Sequence, residues 1–465
     1  MDGNYSVTKR YARLSEGTYL LVYGKYGLVK SKLNSMSIRV SSETVQLLKG
    51  CDGQHTVESI IESVIDSKTD LDTTAFLKAL IEFNQLILNK LVVLEETPAP
   101  AKCTIPLISS QGCYYPESLH VEVTAVCNLH CNYCYRQAGP HYIENRLQTN
   151  HLLTVLGSLS EKGLKVVEIT GGEPLLHPDI KSIIDFCGNT FQLTSILTNG
   201  TLINEDFLNM VLPMKDRVIF NVSLESNKAE EHDRRTGVKG SFSRTINGIR
   251  KLARYNFTVR VAIAVDANNW MDVEPTLLLA KQLGASAFTY SAILPFGRAA
   301  DRFGLWDLDS NVVAEKEQYL FNTYQDFLHI LDESQQQRLK QPGSCGAGHR
   351  IYAMDPAGNV RPCVTFDSQL GVIGNLATQT PEAVFSHETA SLFAEIVAPN
   401  EEVCGSCKFS YFCRNCVLRG LTASRSMAPN ECNWLKQPPV RKLAGLIYEV
   451  PLKTNREVPE QPTKA

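Results

Sequence analysis

Hydrophobic and polar positions alternate along this chain of 465 residues in two different rhythms. Over residues 1–95 the runs are short. Tyr19–Tyr23, Leu28–Lys30 and Ser37–Val40 read as strands, and a helix starts at Ser42. "HTVESIIESVI" begins with Thr56 as its N-cap and sets Ile60, Ile61 and Val64 on one face, and "DTTAFLKALIEFNQLILNK" is a longer amphipathic helix. "LVVLEE" returns as a strand. Strands, three helices and a closing strand predict a small winged-helix-like domain, with a stiff Pro/Ala linker, "TPAPAK" at Thr97–Lys102, inside residues 96–115.

From Leu119 the rhythm lengthens to strand and helix in turn. Leu119–Thr124, Lys165–Thr170, Thr194–Thr198, Val218–Leu224, Val259–Val265 and Phe288–Leu294 are the expected strands, separated by helical stretches such as "GSFSRTINGIRKLARYN" and "VEPTLLLAKQLG". Alternation of this kind predicts an α/β fold with a parallel sheet, and the near-continuous apolar strands predict cover on both faces. Six units make a partial (β/α)6 TIM-like barrel the expected architecture for residues 116–340. Beyond Gln341 the alternation stops and cysteines crowd in, so residues 341–440 read as a loop-rich lobe held by metal. Residues 441–465 read as a polar tail.

Composition narrows the function. Charged residues at 20% and hydrophobic residues at 43% are ordinary for a globular protein, and the net charge of −3 gives no general attraction to nucleic acid or anionic membrane. The polar start "MDGNYSVTKRYARLSEG" has no apolar core of a secretory signal, and no apolar run reaches membrane-spanning length. A cytoplasmic protein is expected. In a reducing compartment the 14 cysteines read as metal ligands or catalytic groups rather than disulfides.

Three of them, Cys127, Cys131 and Cys134, follow the first barrel strand and so occupy its C-terminal end, where parallel barrels carry their chemistry. A structural zinc site takes four ligands, and this loop supplies three. Three thiolates suit a [4Fe–4S] cluster with one iron left open. The stretch resembles the radical S-adenosylmethionine (radical SAM) superfamily, with Tyr133 as the aromatic residue before the last cysteine. Three later motifs carry the same resemblance: "TGGEP" at Thr170–Pro174, "LTNGT" at Leu197–Thr201 and "VSLES" at Val222–Ser226. The resemblance implies that Gly171, Gly172 and Glu173 meet the amino group of SAM, and that Asn199 and Ser223 face its ribose and carboxylate. It implies a 5′-deoxyadenosyl radical that abstracts hydrogen from substrate. No general base is assigned; His177 and His232 read as surface or packing residues.

The late cysteines, "CGAGHRIYAMDPAGNVRPC" and "CGSCKFSYFCRNC", resemble a SPASM domain, which implies two auxiliary [4Fe–4S] clusters. By that resemblance Cys404, Cys407, Cys413 and Cys432 hold the outer cluster, and Cys345, Cys363 and Cys416 the inner one. The inner set lacks a fourth cysteine, leaving either an open iron or completion by Cys103, Cys113 or His349. Taken alone, the C-x2-C pairs suit zinc equally well. Cys51 and Cys187 read as packed thiols. The front module resembles a leader-peptide recognition element, with strand "MSIRV" and the helix that follows it as the docking edge. Together these imply a maturase that forms Cys sulfur-to-carbon thioethers in a ribosomally made precursor peptide, served by a reductant such as flavodoxin or ferredoxin. The competing readings are carbon–carbon crosslinking or side-chain oxidation, as in anaerobic sulfatase maturases, and an iron–sulfur regulator that binds DNA. The front helices carry Asp72 and Glu82 rather than a basic face, against the last of these.

Overall fold

The computed structural model describes residues 7–23, 26–31, 37–67, 72–103, 107–109, 112–140, 146–300, 308–328, 346–366, 371–405, 407, 409–424 and 431–448. Cys345 and residues 449–465 lie outside them. The chain divides into two compact units, Met1–Tyr114 and Tyr115–Ala465.

The first unit holds two sheets. Strands β1 (Tyr11–Leu14), β2 (Thr18–Tyr23), β3 (Tyr26–Ser31), β4 (Ser37–Ser41), β5 (Asp52–Thr56), β6 (Val92–Glu95) and β7 (Leu107–Ser109) pair in the orders β5-β1-β6 and β4-β3-β2-β7. Helix Ser42–Lys49 is capped by Ser41, Val57–Asp66 by Thr56 and Thr73–Leu88 by Asp72, each side chain accepting from a free N–H of the first turn. Glu82 ties two helices together, because its Oε2 accepts from the Ser41 N–H and hydroxyl, both at 2.7 Å, and from the Thr44 hydroxyl at 2.6 Å. Leu20, Val29, Val40, Leu47, Phe76 and Phe83 are among the residues that close the core. Three strands escaped the sequence reading. β5, "DGQHT", has no apolar residue to announce it and is a strand because β1 pairs with it. The expected linker is tied down instead: Ala99 N–H donates to Gly53 O, Cys103 N–H to Asp52 O, and Lys102 Nζ sits 3.1 Å from Asp52 Oδ2. The compact unit runs on through β7 to Tyr114.

The second unit is built on one sheet. β8 (Ser118–Thr124), β9 (Val166–Gly171), β10 (Leu193–Thr198), β11 (Val218–Ser223), β12 (Thr258–Val265) and β13 (Ala287–Ala292) run parallel in sequence order. At the β8 edge the sheet continues into the cysteine-rich segment: β14 (Ile351–Met354) pairs parallel with β8, and β15 (Asn359–Arg361) and β16 (Gly374–Asn375) follow antiparallel. The late segment is therefore part of the barrel sheet as well as a lobe. The outward residues Phe220, Val222, Val259 and Val261 are buried, with Phe220 ringed by Phe207 and Phe257. Their alternates Asn221, Ser223, Arg260 and Ala262 are only half-buried. Helices close the outer face, and the inner face is covered less evenly: Glu122, Thr124 and Ser195 are buried there while Asn221, Ser223 and Arg260 are half-buried.

The C-terminal lobe has its own core, in which Trp434 and Phe393 pack with Val440 and Leu443 from helix Pro438–Tyr448. The expected tail thus begins later than residue 441. Among the described residues no helix is long and apolar enough to cross a membrane.

Candidate functional site

The strand ends β8 to β11 gather the motifs at one mouth. After β8 the chain turns through the cysteine loop, which closes on itself where Cys127 N–H donates to Gly139 O at 3.1 Å. Leu129 N–H donates to Cys127 Sγ at 3.4 Å, and Cys131 and Cys134 pack in the same small cluster as Cys127. Two distant segments clamp this loop. From one side, His130 and Asn132 N–H groups donate to the carbonyls of Thr236 and Arg235, and Gly237, at φ +73°, leaves room for His130 O. From the other, Arg298 donates from Nε to Cys131 O at 2.6 Å, from Nη2 to Ala138 O at 2.9 Å and from its backbone N–H to Cys134 O at 3.0 Å.

The glycines of "TGGEP" sit where two backbones meet. A Cβ on Gly171 would strike Thr124 O, and one on Gly172 would strike Val126 O. Gly172 N–H donates to Thr124 O at 2.7 Å and Glu173 N–H to Val126 O at 2.8 Å. The close approach they permit is between β9 and the root of the cysteine loop. Glu173 is fully buried; Oε1 accepts from the Thr198 hydroxyl at 2.7 Å and Leu175 N–H at 3.1 Å, and Oε2 from Asn199 N–H at 2.8 Å. Burial outweighs these donors and lifts its carboxyl to about 7. A carboxylate offers about four acceptor positions, so room for one further donor remains. Asn199 extends the web: Nδ2 donates to Asn128 Oδ1, Oδ1 accepts from Thr201, and its side chain reaches Cys127. Ser223 ends β11 on the inner face, half-buried.

Tyr133 points into a buried charge network that the sequence did not announce. Its hydroxyl hydrogen-bonds Glu225, and the Arg235 guanidinium lies 5.2 Å from its ring centroid. Arg235, wholly buried, donates to Asp266 Oδ2 at 3.1 Å and Ala264 O at 2.8 Å. Burial raises Glu225 and Tyr133 alike. His232 is a packing residue and not a surface one: 1% exposed, it accepts from Glu225 N–H at Nδ1, and burial pushes its pKa down to about 4. His177 is buried too, accepting from Asp179 N–H. A second node joins barrel and lobe. The buried Glu122 of β8 accepts from Arg361 of β15 at 2.8 Å and from the Tyr135 hydroxyl at 3.1 Å, with Arg136 Nε at 3.3 Å. The only sequence signal for these residues was charge at positions flanking motifs.

The late cysteines fall into two neighbourhoods. Cys404, Cys407, Cys413 and Cys432 act electrostatically on one another. Cys363 stands close to Cys416, which also neighbours Cys413. His349 is buried with Nδ1 on Ala347 O. Cys51 and Cys187 are buried as expected of packed thiols. Among the described residues no three His, Cys, Asp or Glu side chains stand ready to hold one metal ion. The donor chemistry nevertheless fits an iron–sulfur group in the barrel mouth. Burial lifts the Cys127 thiol to about 12 and Cys131 higher still, so their thiolates are strongly disfavoured until a cationic group shares the space.

A parallel sheet with three clustered thiols on the loop after its first strand, Cys127 buried and Cys131 and Cys134 half-buried, has the donor set of an enzyme that carries its reagent on a sulfur-ligated metal group. The profile of the radical SAM superfamily matches residues 121–280. The antilisterial bacteriocin subtilosin biosynthesis protein AlbA of Bacillus subtilis is 31% identical over 340 residues, 72% of this chain and 75% of that protein. The sporulation killing factor maturation protein SkfB of the same organism is 26% identical over 56% of this chain and 63% of its own length. Among solved structures, Streptococcus suis SuiB bound to S-adenosylmethionine has the same fold, with a TM-score of 0.56 at 16% identity over 88% of this chain and 96% of that one. The chain belongs to the radical SAM superfamily, and is a radical SAM enzyme whose cofactors are S-adenosylmethionine and a [4Fe–4S] cluster.

Proposed function

We propose that this enzyme matures a ribosomally made precursor peptide in the cytoplasm, joining a cysteine sulfur to a carbon atom as a thioether. The observation that carries the reading is the likeness to a bacteriocin biosynthesis protein across three quarters of that protein's length. In this reading Cys127, Cys131 and Cys134 hold the cluster, and Tyr133, Gly171, Gly172, Glu173, Asn199 and Ser223 form the bed for SAM. The cofactors supply the radical. The protein holds the loop rigid through Arg298 and Arg235, keeps water from the mouth and orients the target bond.

The late segment is read as a SPASM domain with two auxiliary clusters. The mutual proximity of Cys404, Cys407, Cys413 and Cys432, and of Cys363 and Cys416, supports that partition. The first unit is read as a winged-helix-like leader reader. Its β4 is an edge strand, and Leu77, Ile81 and Leu88 of the neighbouring helix Thr73–Leu88 are exposed at 57%, 62% and 73%. An extended leader added to β4 would cover that apolar stripe.

The test is anaerobic reconstitution with a reductant of the flavodoxin or ferredoxin type and a Cys-containing peptide encoded beside the enzyme. The expected outcome is 5′-deoxyadenosine, a peptide lighter by two hydrogens, and a new thioether located by fragmentation. Replacing Cys127, Cys131 and Cys134 by alanine abolishes both products. A peptide that stays unmodified while wild-type enzyme cleaves SAM rejects the substrate reading.

A further inference from the structure

Closed parallel barrels fill their interior with branched aliphatic side chains. Here the inner face of the sheet carries a polar pair instead. The parallel register of β11 and β12 sets Asn221 beside Arg260. Because their neighbours Phe220, Val222, Val259 and Val261 are buried outward against the helices, both side chains project onto the inner face of the sheet. Asn221 Oδ1 and Arg260 Nε are each shielded from solvent, and neither has a hydrogen-bond partner. One acceptor and one donor thus stand side by side, two residues below Ser223, a distance of about 7 Å along the strand.

A main-chain peptide group carries the complementary pair, an N–H that donates and a carbonyl that accepts. We propose that Asn221 and Arg260 form a subsite that holds one main-chain amide of the substrate, Asn221 Oδ1 accepting its N–H and Arg260 donating to its carbonyl. The inference rests on the peptide-maturase reading and adds where the core segment is gripped. An isolated carboxylate would satisfy Arg260 but leave the Asn221 oxygen facing negative charge. Main-chain recognition also suits an enzyme that must hold the backbone still while a nearby side chain reacts.

The experiment uses reconstituted full-length enzyme and the precursor peptide encoded beside it. Arg260→Met and Asn221→Leu each raise KM for the peptide about tenfold, the loss of one hydrogen bond, with a smaller change in kcat. Arg260→Lys, which keeps the charge and a donor, recovers most of the affinity, and Arg260→Gln serves if the methionine variant does not fold. SAM affinity, measured separately by equilibrium dialysis, stays within about twofold of wild type in all of them. If wild type processes the peptide and the variants keep its KM, the subsite is wrong while the maturase reading stands. If the loss falls on SAM affinity, the pair serves the cofactor and the proposal is overturned. A wild-type enzyme that cleaves SAM but processes no peptide overturns both.

Discussion

At the scale of single residues, the strictest demands fall where two backbones meet. Gly172 has its missing Cβ against Val126 O and Ala125 O, both backbone atoms that cannot step aside. A methyl group there forces β9 away from the root of the cysteine loop. Gly172→Ala is expected to cost about 3 kcal/mol, to lower the melting temperature and to reduce the iron retained after reconstitution. A variant that melts and loads like wild type would show that the loop floats free of β9. Charge is handled as sparingly as space. Glu122 and Arg361 are buried together, and removing Arg361 leaves the Glu122 charge to Arg136 and the Tyr135 hydroxyl alone, so Arg361→Met is expected to destabilise by about 3 kcal/mol, read as the shift of a chemical denaturation midpoint.

At the scale of elements, the cysteine loop is a passenger on segments remote in sequence. The turn around Gly237, which receives His130, is organised by Asp233, whose carboxylate accepts from Gly240 N–H, Phe242 N–H and the Ser241 hydroxyl. Burial works against the charged form, but these donors together hold its pKa below the usual 3.8. A carboxyl depressed in the folded state stabilises above its unfolded pKa and loses that contribution as pH falls through its folded one. Asp233→Asn is therefore expected to melt below wild type near neutral pH, with the gap closing as acid is added below about pH 4. A gap constant from neutral to acid would remove the carboxylate from this role. Such couplings explain what was legible in the sequence. The six parallel strands were, because Val and Ile recur on the face packed against helices, and so was the cap at Thr56, which acts within one turn. β5 and the pairing of β14 with β8 were not, since each exists only because a distant strand accepts it. Arg235 and Arg298 escaped for the same reason: arginine is ordinarily a surface residue, and only the tertiary fold turns these two inward against the loop.

At the scale of the whole molecule, the two compact units have separate cores and separate tasks in the proposed function. The first closes its sheets and helices over its own buried residues, Leu20, Leu47, Phe76 and Phe83 among them. It is expected to fold when produced alone as residues 1–114 and to melt in a single transition. If it reads the leader through β4 and the exposed stripe, the isolated unit binds the leader peptide, and Ile81→Asp, which changes a residue 62% exposed and leaves the core intact, weakens that binding. The second unit alone still cleaves SAM, since every residue assigned to the mouth lies beyond Tyr115. What it loses is the tether. With leader and core held on one chain, delivery of the core to the barrel is intramolecular, and severing the units removes an effective-concentration advantage of roughly 10² to 10⁴. Processing by residues 115–465 should fall by that order at dilute peptide and recover as peptide concentration rises. Equal processing by the severed and intact enzyme at low peptide would mean that the barrel finds its substrate unaided, and that the first unit has some other work.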